Sequence, residues 1–538
     1  MQFSRPLKSS AHSLPSGNGA YIATILPFKA IIRQTRSLEI VRAIPLPDSA
    51  SSIQWFLWSP SSERFLLSAA ETIRIYSVTN NHFGGVISNP TSGTAKTTYV
   101  AFGETDDEVV VFSDFGLKVT IFNLSTSTSI EIPSPKFFNP IAASRGYAYR
   151  PRTSQCALLT RTGGKDILSI HGTQTYEVVR SWHSDTIDAQ SLSWSPDGRW
   201  LAVVESAGHG PRILVYTADG HLYKIWKGPL AITDDEKDAS LGAGVKILHW
   251  TMSSDFVAVG DHSSKITLLS TPSFSESMTL NHSNAVRPAN GFEIWQEQVA
   301  PSPNGGFERN YAPSTQITCP PTTTGSLPAA VDAGSKVGTA FISSDTSGTL
   351  IATRSEHMPT TVWIWDIASK MLKALMVQHA PVARVTWHPS INELLMIRCE
   401  GEESKGLVYL WEPTWDAPKI VNFGSQLPDG KIIGKSVIRW LNCEGPMPAL
   451  FFSDTQDCML AALSDGDADP PWHGAVTRGV NIYGEREESP LDLVPADEKQ
   501  SYGLSVEALM NEEPTMTHIS GEDDEMDDTF RFRRFVGS

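Results

Sequence analysis

The stretch SLSWSPDGRWLAVVES, residues 191–206, decides the fold. Its first residues read as a short strand ending on Trp194. In the turn that follows, Pro196 fixes φ on entry and Asp197-Gly198 is a readily turned pair. Trp200–Glu205 reads as a second strand, and RILVYT at 212–217 as a third. The same order of strand, aromatic, turn, strand, turn, strand returns along the chain. Its anchors are Trp58, Phe102, Tyr149, Trp194, Trp250, Phe341, Trp387 and Trp440, with a degenerate first copy at Leu14-Pro15. Successive anchors lie 44, 44, 47, 45, 56, 91, 46 and 53 residues apart. A four-stranded propeller blade repeats every ~40–45 residues, so three intervals carry insertions.

Third strands fall in register with these anchors: TIRIYSV (72–78), KVTIFNL (118–124), ILSIHG (167–172), RILVYT (212–217), KITLLS (265–270), TVWIWDI (361–367) and LVYLWEP (407–413). They are β-branched and aromatic runs, apolar on both faces, as a strand sandwiched between neighbouring blades must be. A β-sandwich does not explain nine copies at a near-constant period. The units span roughly 9–44, 52–83, 97–132, 140–183, 189–227, 243–281, 336–377, 380–422 and 435–463. The last ends after three strands, and MQFSRPLK at the N-terminus is placed to supply its outer strand. The expected fold is all-β: a propeller of about nine blades over residues 1–463, closed into one ring by chain ends that share a sheet. Residues 282–335 read as an inserted loop between the sixth and seventh units, with two short strands expected around Ile294 and Ile317.

Net charge is −16, unevenly placed. Residues 463–538 carry 18 acidic and 6 basic side chains, or −12, which leaves −4 for the other 462 residues. A nearly neutral body without basic stripes lacks the footprint of a nucleic-acid binder. The 464–538 segment, rich in charge and poor in periodic apolar residues, reads as a disordered acidic tail. No run approaches the ~18 apolar residues of a membrane span. The N-terminus lacks the pattern of a secretory signal. Five cysteines, an odd count without a C-x-x-C pair, point to neither a disulfide framework nor a zinc site. An intracellular protein is expected.

Gly163-Gly164-Lys165 lacks the upstream glycine and the following Ser or Thr of a phosphate loop, and neither H-E-x-x-H nor G-x-S-x-G occurs. His357, His379 and His388 are not at helix spacing. His379 sits where repeats of this type often carry a structural histidine. Asp106-Asp107-Glu108 and Asp234-Asp235-Glu236 read as solvated turns, with a cation site as the sharper alternative. No catalytic residue, cofactor site or metal site is expected, and no enzyme.

At TVWIWDI, Trp365-Asp366 is the dipeptide that names WD repeats. The longer stretch VGTAFISSDTSGTLIATRSEHMPTTVWIWDI (337–367), with Ala352-Thr353-Arg354, Pro359 and the 362–367 run, resembles the seventh unit of the WD repeat-containing protein 8 family. The resemblance extends over about residues 2–463 and is strongest at 337–413. It implies a scaffold at centrosomes or fungal spindle poles, in the cytoplasm and cytoskeleton. It also implies two partners, a coiled-coil microtubule-anchoring protein and a minus-end-directed kinesin, which together tether microtubule minus ends. Two other readings stay open: a translation-initiation propeller scaffold and a ubiquitin-ligase substrate receptor. The absence of basic aromatic stripes counts against the first. Against the second, Ile367-Ala368-Ser369-Lys370 follows the WD pair, with no early Arg.

The last candidate site is the C-terminus. After the acidic run 522–528 come Thr529-Phe530-Arg531-Phe532-Arg533-Arg534-Phe535. Extended, Phe530 and Phe532 share one side and Arg531 and Arg533 the other. That alternation suits a strand added to a partner's sheet edge, with aromatic anchors and Arg on an acidic rim.

Overall fold

The computed structural model describes residues 1–472, apart from 48–52, 70, 90–95, 137–145, 230–242, 290, 303–305, 324–337, 429–430, 444–446 and 465–468, and then 530–532. The chain is an all-β propeller whose described strands form nine sheets, or blades. They fall into two compact units, one of residues 1–132 with 432–538 and one of 133–431.

The first unit holds the first three blades and the ninth. Blade 1 comprises Ser13–Pro15, Tyr21–Ile25, Lys29–Gln34 and Ile40–Pro45. Blade 2 comprises Trp55–Trp58, Arg64–Ser68, Thr72–Ser77 and Gly84–Ser88, and blade 3 Tyr99–Phe102, Glu108–Ser113, Lys118–Asn123 and Thr128–Pro133. Blade 9 has Val437–Leu441, Ala449–Ser453 and Asp457–Ala462. Its outer strand comes from the other end of the chain, with Gln2 opposite Ala462, Phe3 opposite Ala461 and Leu7 opposite Cys458. The strand missing from the last repeat is therefore supplied by the N-terminus, as its sequence led us to expect.

Blades 4 to 8 form the second unit, with inner strands Tyr147–Tyr149, Ala189–Trp194, Val245–Trp250, Thr339–Ser344 and Val382–Trp387. Seven third strands begin within two residues of their expected positions, for example Thr361–Asp366 and Leu407–Trp411. Both of these are buried along nearly their whole length, and Thr361–Asp366 packs Val362 and Ile364 towards blade 8 and Trp363 and Trp365 towards blade 6. The cores accordingly lie between blades: Leu159, Leu168, Trp194 and Leu214 join blades 4 and 5, and Phe65, Leu67, Ile25 and Ile32 join blades 1 and 2. Outer strands such as Val178–His183 alternate exposed and half-buried positions.

Residues 282–335 depart from a simple loop. Glu293–Pro301 and Phe307–Pro313 form a long hairpin, and Glu293–Gln296 pairs in parallel with Ala374–Val377 on the outer strand of blade 7. Blade 7 thereby has six strands. The strand expected around Ile294 is present. The one expected around Ile317 is instead at 307–313, and Ile317 itself is an exposed residue beside an isolated bridge from Thr318 to Val286. The acidic tail also differs from its expected extent. Trp472 is buried with Leu7, Leu441 and Phe451 against blade 9, so packed structure continues past residue 463. The remainder of the tail, except 530–532, lies outside the described residues.

Candidate protein-interaction site

Blade 7 carries the Trp365-Asp366 pair, and both residues are structural. Trp365 stacks on Trp363 with ring centroids 5.7 Å apart and planes 9° from parallel. Its indole N–H donates to Thr353 Oγ1 at 2.9 Å, and His282 Nε2 meets the same hydroxyl at 2.9 Å. Burial pushes His282 down to about 4, so it is neutral at physiological pH and able to share a proton with a hydroxyl. Asp366 accepts the Ala368 and Ser369 N–H groups and closes the next turn. The structural histidine of this blade is thus His282, supplied by the connection from blade 6. His379 is exposed and uses its backbone N–H instead.

That N–H leads to the least anticipated feature of the molecule. The Glu297 carboxylate, on the hairpin, is wholly buried, and Arg309 across the hairpin is 6% exposed. Arg309 donates to Glu297 Oε1 at 2.7 Å, Tyr409 Oη donates to the same oxygen at 2.7 Å, and His379 N–H donates to Oε2 at 2.7 Å. Tyr311 Oη reaches Gln378 Oε1 at 2.7 Å. Burial first, then the Glu297 charge, push the Tyr409 hydroxyl and the Cys399 thiol well up, so both stay protonated. The network rivets the hairpin to blade 8. Sequence reading missed it because an isolated Glu and Arg in a Pro- and Ser-rich stretch look like surface charges. The only local signal was the alternation of NYAP after FER.

Beyond the rivet the insertion is open. Phe307 is 56% and Ile317 55% exposed. Arg287, Pro288, Thr315, Gln316 and Ile317 line a shallow surface groove beside it.

The other sequence candidates resolve as follows. Asp106 accepts Ser59 Oγ at 2.9 Å and Ser61 N–H at 3.0 Å, and Asp107 pairs with Arg64 at 2.6 Å, so this acidic cluster staples the turns of blades 2 and 3 together. Asp234-Asp235-Glu236 lies outside the described residues. Gly163 and Gly164 have φ of 59° and 78° and form a hairpin tip. His388 Nδ1 accepts the Ser390 and Ile391 N–H groups, and burial lowers its pKa to about 4. Among the described residues, no group of three or more His, Cys, Asp or Glu is placed to hold a metal ion, and no helix is long and apolar enough to cross a membrane.

Of the C-terminal candidates, Phe530, Arg531 and Phe532 form a strand, while Arg533, Arg534 and Phe535 lie outside the described residues. The strand is placed on this chain's own sheet. It runs antiparallel to Gly84–Ser88, the outer strand of blade 2, with Gly85 opposite Phe532, Val86 opposite Arg531 and Ile87 opposite Phe530. Edge addition was the expected mode, but on a partner; here the edge belongs to the same chain.

No protein-family model matches the chain. It is similar to WD repeat-containing protein WRAP73 of Mus musculus, at 23% identity over 416 residues, which covers 74% of this chain and 84% of that one. It is also similar to an uncharacterized WD repeat-containing protein of Schizosaccharomyces pombe, at 22% identity over 410 residues, 73% of this chain and 78% of that one. Among solved structures, a eukaryotic initiation factor aligns with TM-score 0.48 and 11% identity over 78% of this chain and 90% of that one. The Dos1 propeller aligns with TM-score 0.43 and 12% identity over 78% and 93%. Nine repeats read from the sequence and nine blades among the described residues make this chain a β-propeller, similar in sequence to WD-repeat proteins, an architecture that serves generally as a protein-interaction scaffold.

Proposed function

We propose that this protein is a non-enzymatic scaffold of the microtubule-organising centre, where it holds microtubule minus ends together with a coiled-coil anchoring protein and a minus-end-directed kinesin. The observation that carries this reading is the stretch 337–367, whose residues resemble the seventh unit of the WD repeat-containing protein 8 family over more than the bare WD pair. The chemistry of the molecule supports the scaffold part. Two wholly buried carboxylates are engaged in holding blades: Glu297 has three donors, and Asp166 accepts Lys136 at 2.6 Å, Thr186 at 2.9 Å and Ala189 N–H at 2.7 Å. Groups engaged in this way fix a rigid platform whose connections are free to bind.

The test is to tag the protein at its N-terminus and follow it in dividing cells. Two foci at the spindle poles are expected, and affinity capture should bring down a coiled-coil protein and a minus-end-directed kinesin. Co-sedimentation with ribosomal subunits, or recovery in a ubiquitin-ligase complex without polar foci, overturns the proposal.

A further inference from the structure

We propose that the outer edge of blade 2 is a strand-docking site, and that the chain's own C-terminal strand is its resident cover, displaceable by an extended segment of a protein partner. The proposal starts from the position of Gly84–Ser88. As the fourth strand of its blade it is paired on one side by Thr72–Ser77, and its other side is a sheet edge. An unpaired edge is a template for another strand, which proteins commonly cover or blunt with charge. The sequence here is GGVIS, without charge or proline, and its glycine pair lets another backbone approach closely. Phe530–Phe532 occupies that edge.

A second place in the molecule shows the same device. On blade 7 the outer strand accepts Glu293–Gln296 from the insertion. That cover is fixed by the buried Glu297 network, by four register pairs to the edge and by seven within the hairpin itself, whereas the C-terminal cover has three register pairs. Three pairs, at about 1 kcal/mol net for each hydrogen bond formed, hold weakly against the entropy of ordering the segment. The strand stays in place because it is tethered to the same chain, which gives it an effective concentration above that of a free peptide at micromolar levels. A partner that adds an extended strand together with further contacts displaces it. The inference deepens the scaffold reading by naming a surface for it. Its test contains no cellular partner, so the two can fail separately.

The test compares the full chain with its Arg531→Pro variant, since proline is poorly tolerated within a paired strand. Hydrogen exchange should quicken in residues 84–88 of the variant while residues 64–77 keep their protection. A labelled peptide of residues 526–538 should bind the variant at least ~10-fold more tightly than the full chain, whose edge is already occupied. Unchanged exchange at 84–88, or equal peptide affinity for the two proteins, overturns the proposal. A concentration-dependent dimer that Arg531→Pro dissolves overturns it as well, because the strand then covers a second copy.

Discussion

At the scale of single residues, the repeat is announced by tryptophan for a specific reason. Trp58, Trp194 and Trp387 each end an inner strand, and each indole N–H donates to a backbone carbonyl of the preceding blade: Leu14 at 3.3 Å, Ala148 at 3.2 Å and Ser343 at 2.9 Å. Trp250 does the same through Ser193 Oγ at 3.1 Å. The aromatic body fills the core between blades while the N–H fixes their relative height. Trp387→Phe keeps most of the body and leaves a carbonyl without its donor, so a loss of about 0.5–1.5 kcal/mol is expected in urea unfolding. Trp387→Ala also opens a cavity and should cost about 3–5 kcal/mol. Buried histidines add a pH dependence. Burial lowers His249, His282 and His388 to about 4 from an ordinary 6.5. Between those values the unfolded chain binds protons that the folded chain refuses, so stability is full above pH 6.5 and declines as pH falls towards 4. His388→Asn retains an acceptor for the Ser390 and Ile391 N–H groups but does not titrate. The urea midpoint of the variant should therefore fall less between pH 7 and pH 5 than that of the parent, and an identical pH slope would refute the assignment.

At the scale of elements, legibility divides along local and non-local lines. Third strands such as Thr361–Asp366 were readable because burial on both faces demands an unbroken apolar run, which is a local pattern. The hairpin was only half readable. Ile294 marked a strand, but nothing near it shows that residues 293–296 pair in parallel with 374–377, 81 residues on. Glu297 and Arg309 were illegible for a related reason: a charge is buried only when distant groups satisfy it, here Tyr409 and the backbone of His379. Their coupling is open to measurement. Glu297→Gln removes the buried countercharge of the Arg309 guanidinium, which is 6% exposed and keeps only the longer pair to Glu403 at 3.4 Å, and a loss of about 3 kcal/mol is expected. The double change Glu297→Met with Arg309→Met removes both charges and should cost clearly less than the sum of the two single changes. Additive losses in that cycle would show that the pair does not act as a unit.

At the scale of the molecule, the count of nine and the sharing of the last blade by both chain ends followed from anchor spacing and one missing strand. The division into two compact units did not, because every repeat has the same pattern whichever unit it joins. The shared blade gives the last prediction. Residues 1–8 do more than lie along an edge. Ser4 N–H donates to Leu460 O at 2.9 Å, and Ser4 Oγ accepts the Leu460 N–H at 2.9 Å. The N-terminal ammonium donates to Ser464 O at 2.9 Å. Leu7 is 1% exposed, packed with Leu441, Phe451, Leu460 and Trp472. Deleting residues 1–8 removes this apolar contact, worth about 1.5–3 kcal/mol for the leucine alone, and leaves Asp457–Ala462 as an open edge. The melting temperature should fall by several degrees, and Leu7→Ala should reproduce part of the fall, since it costs about 2–5 kcal/mol without opening the edge. A synthetic peptide of residues 1–10, added to the shortened protein, should restore part of the loss by refilling the edge. If the deletion melts at the same temperature as the full chain, the ninth blade does not depend on its N-terminal strand.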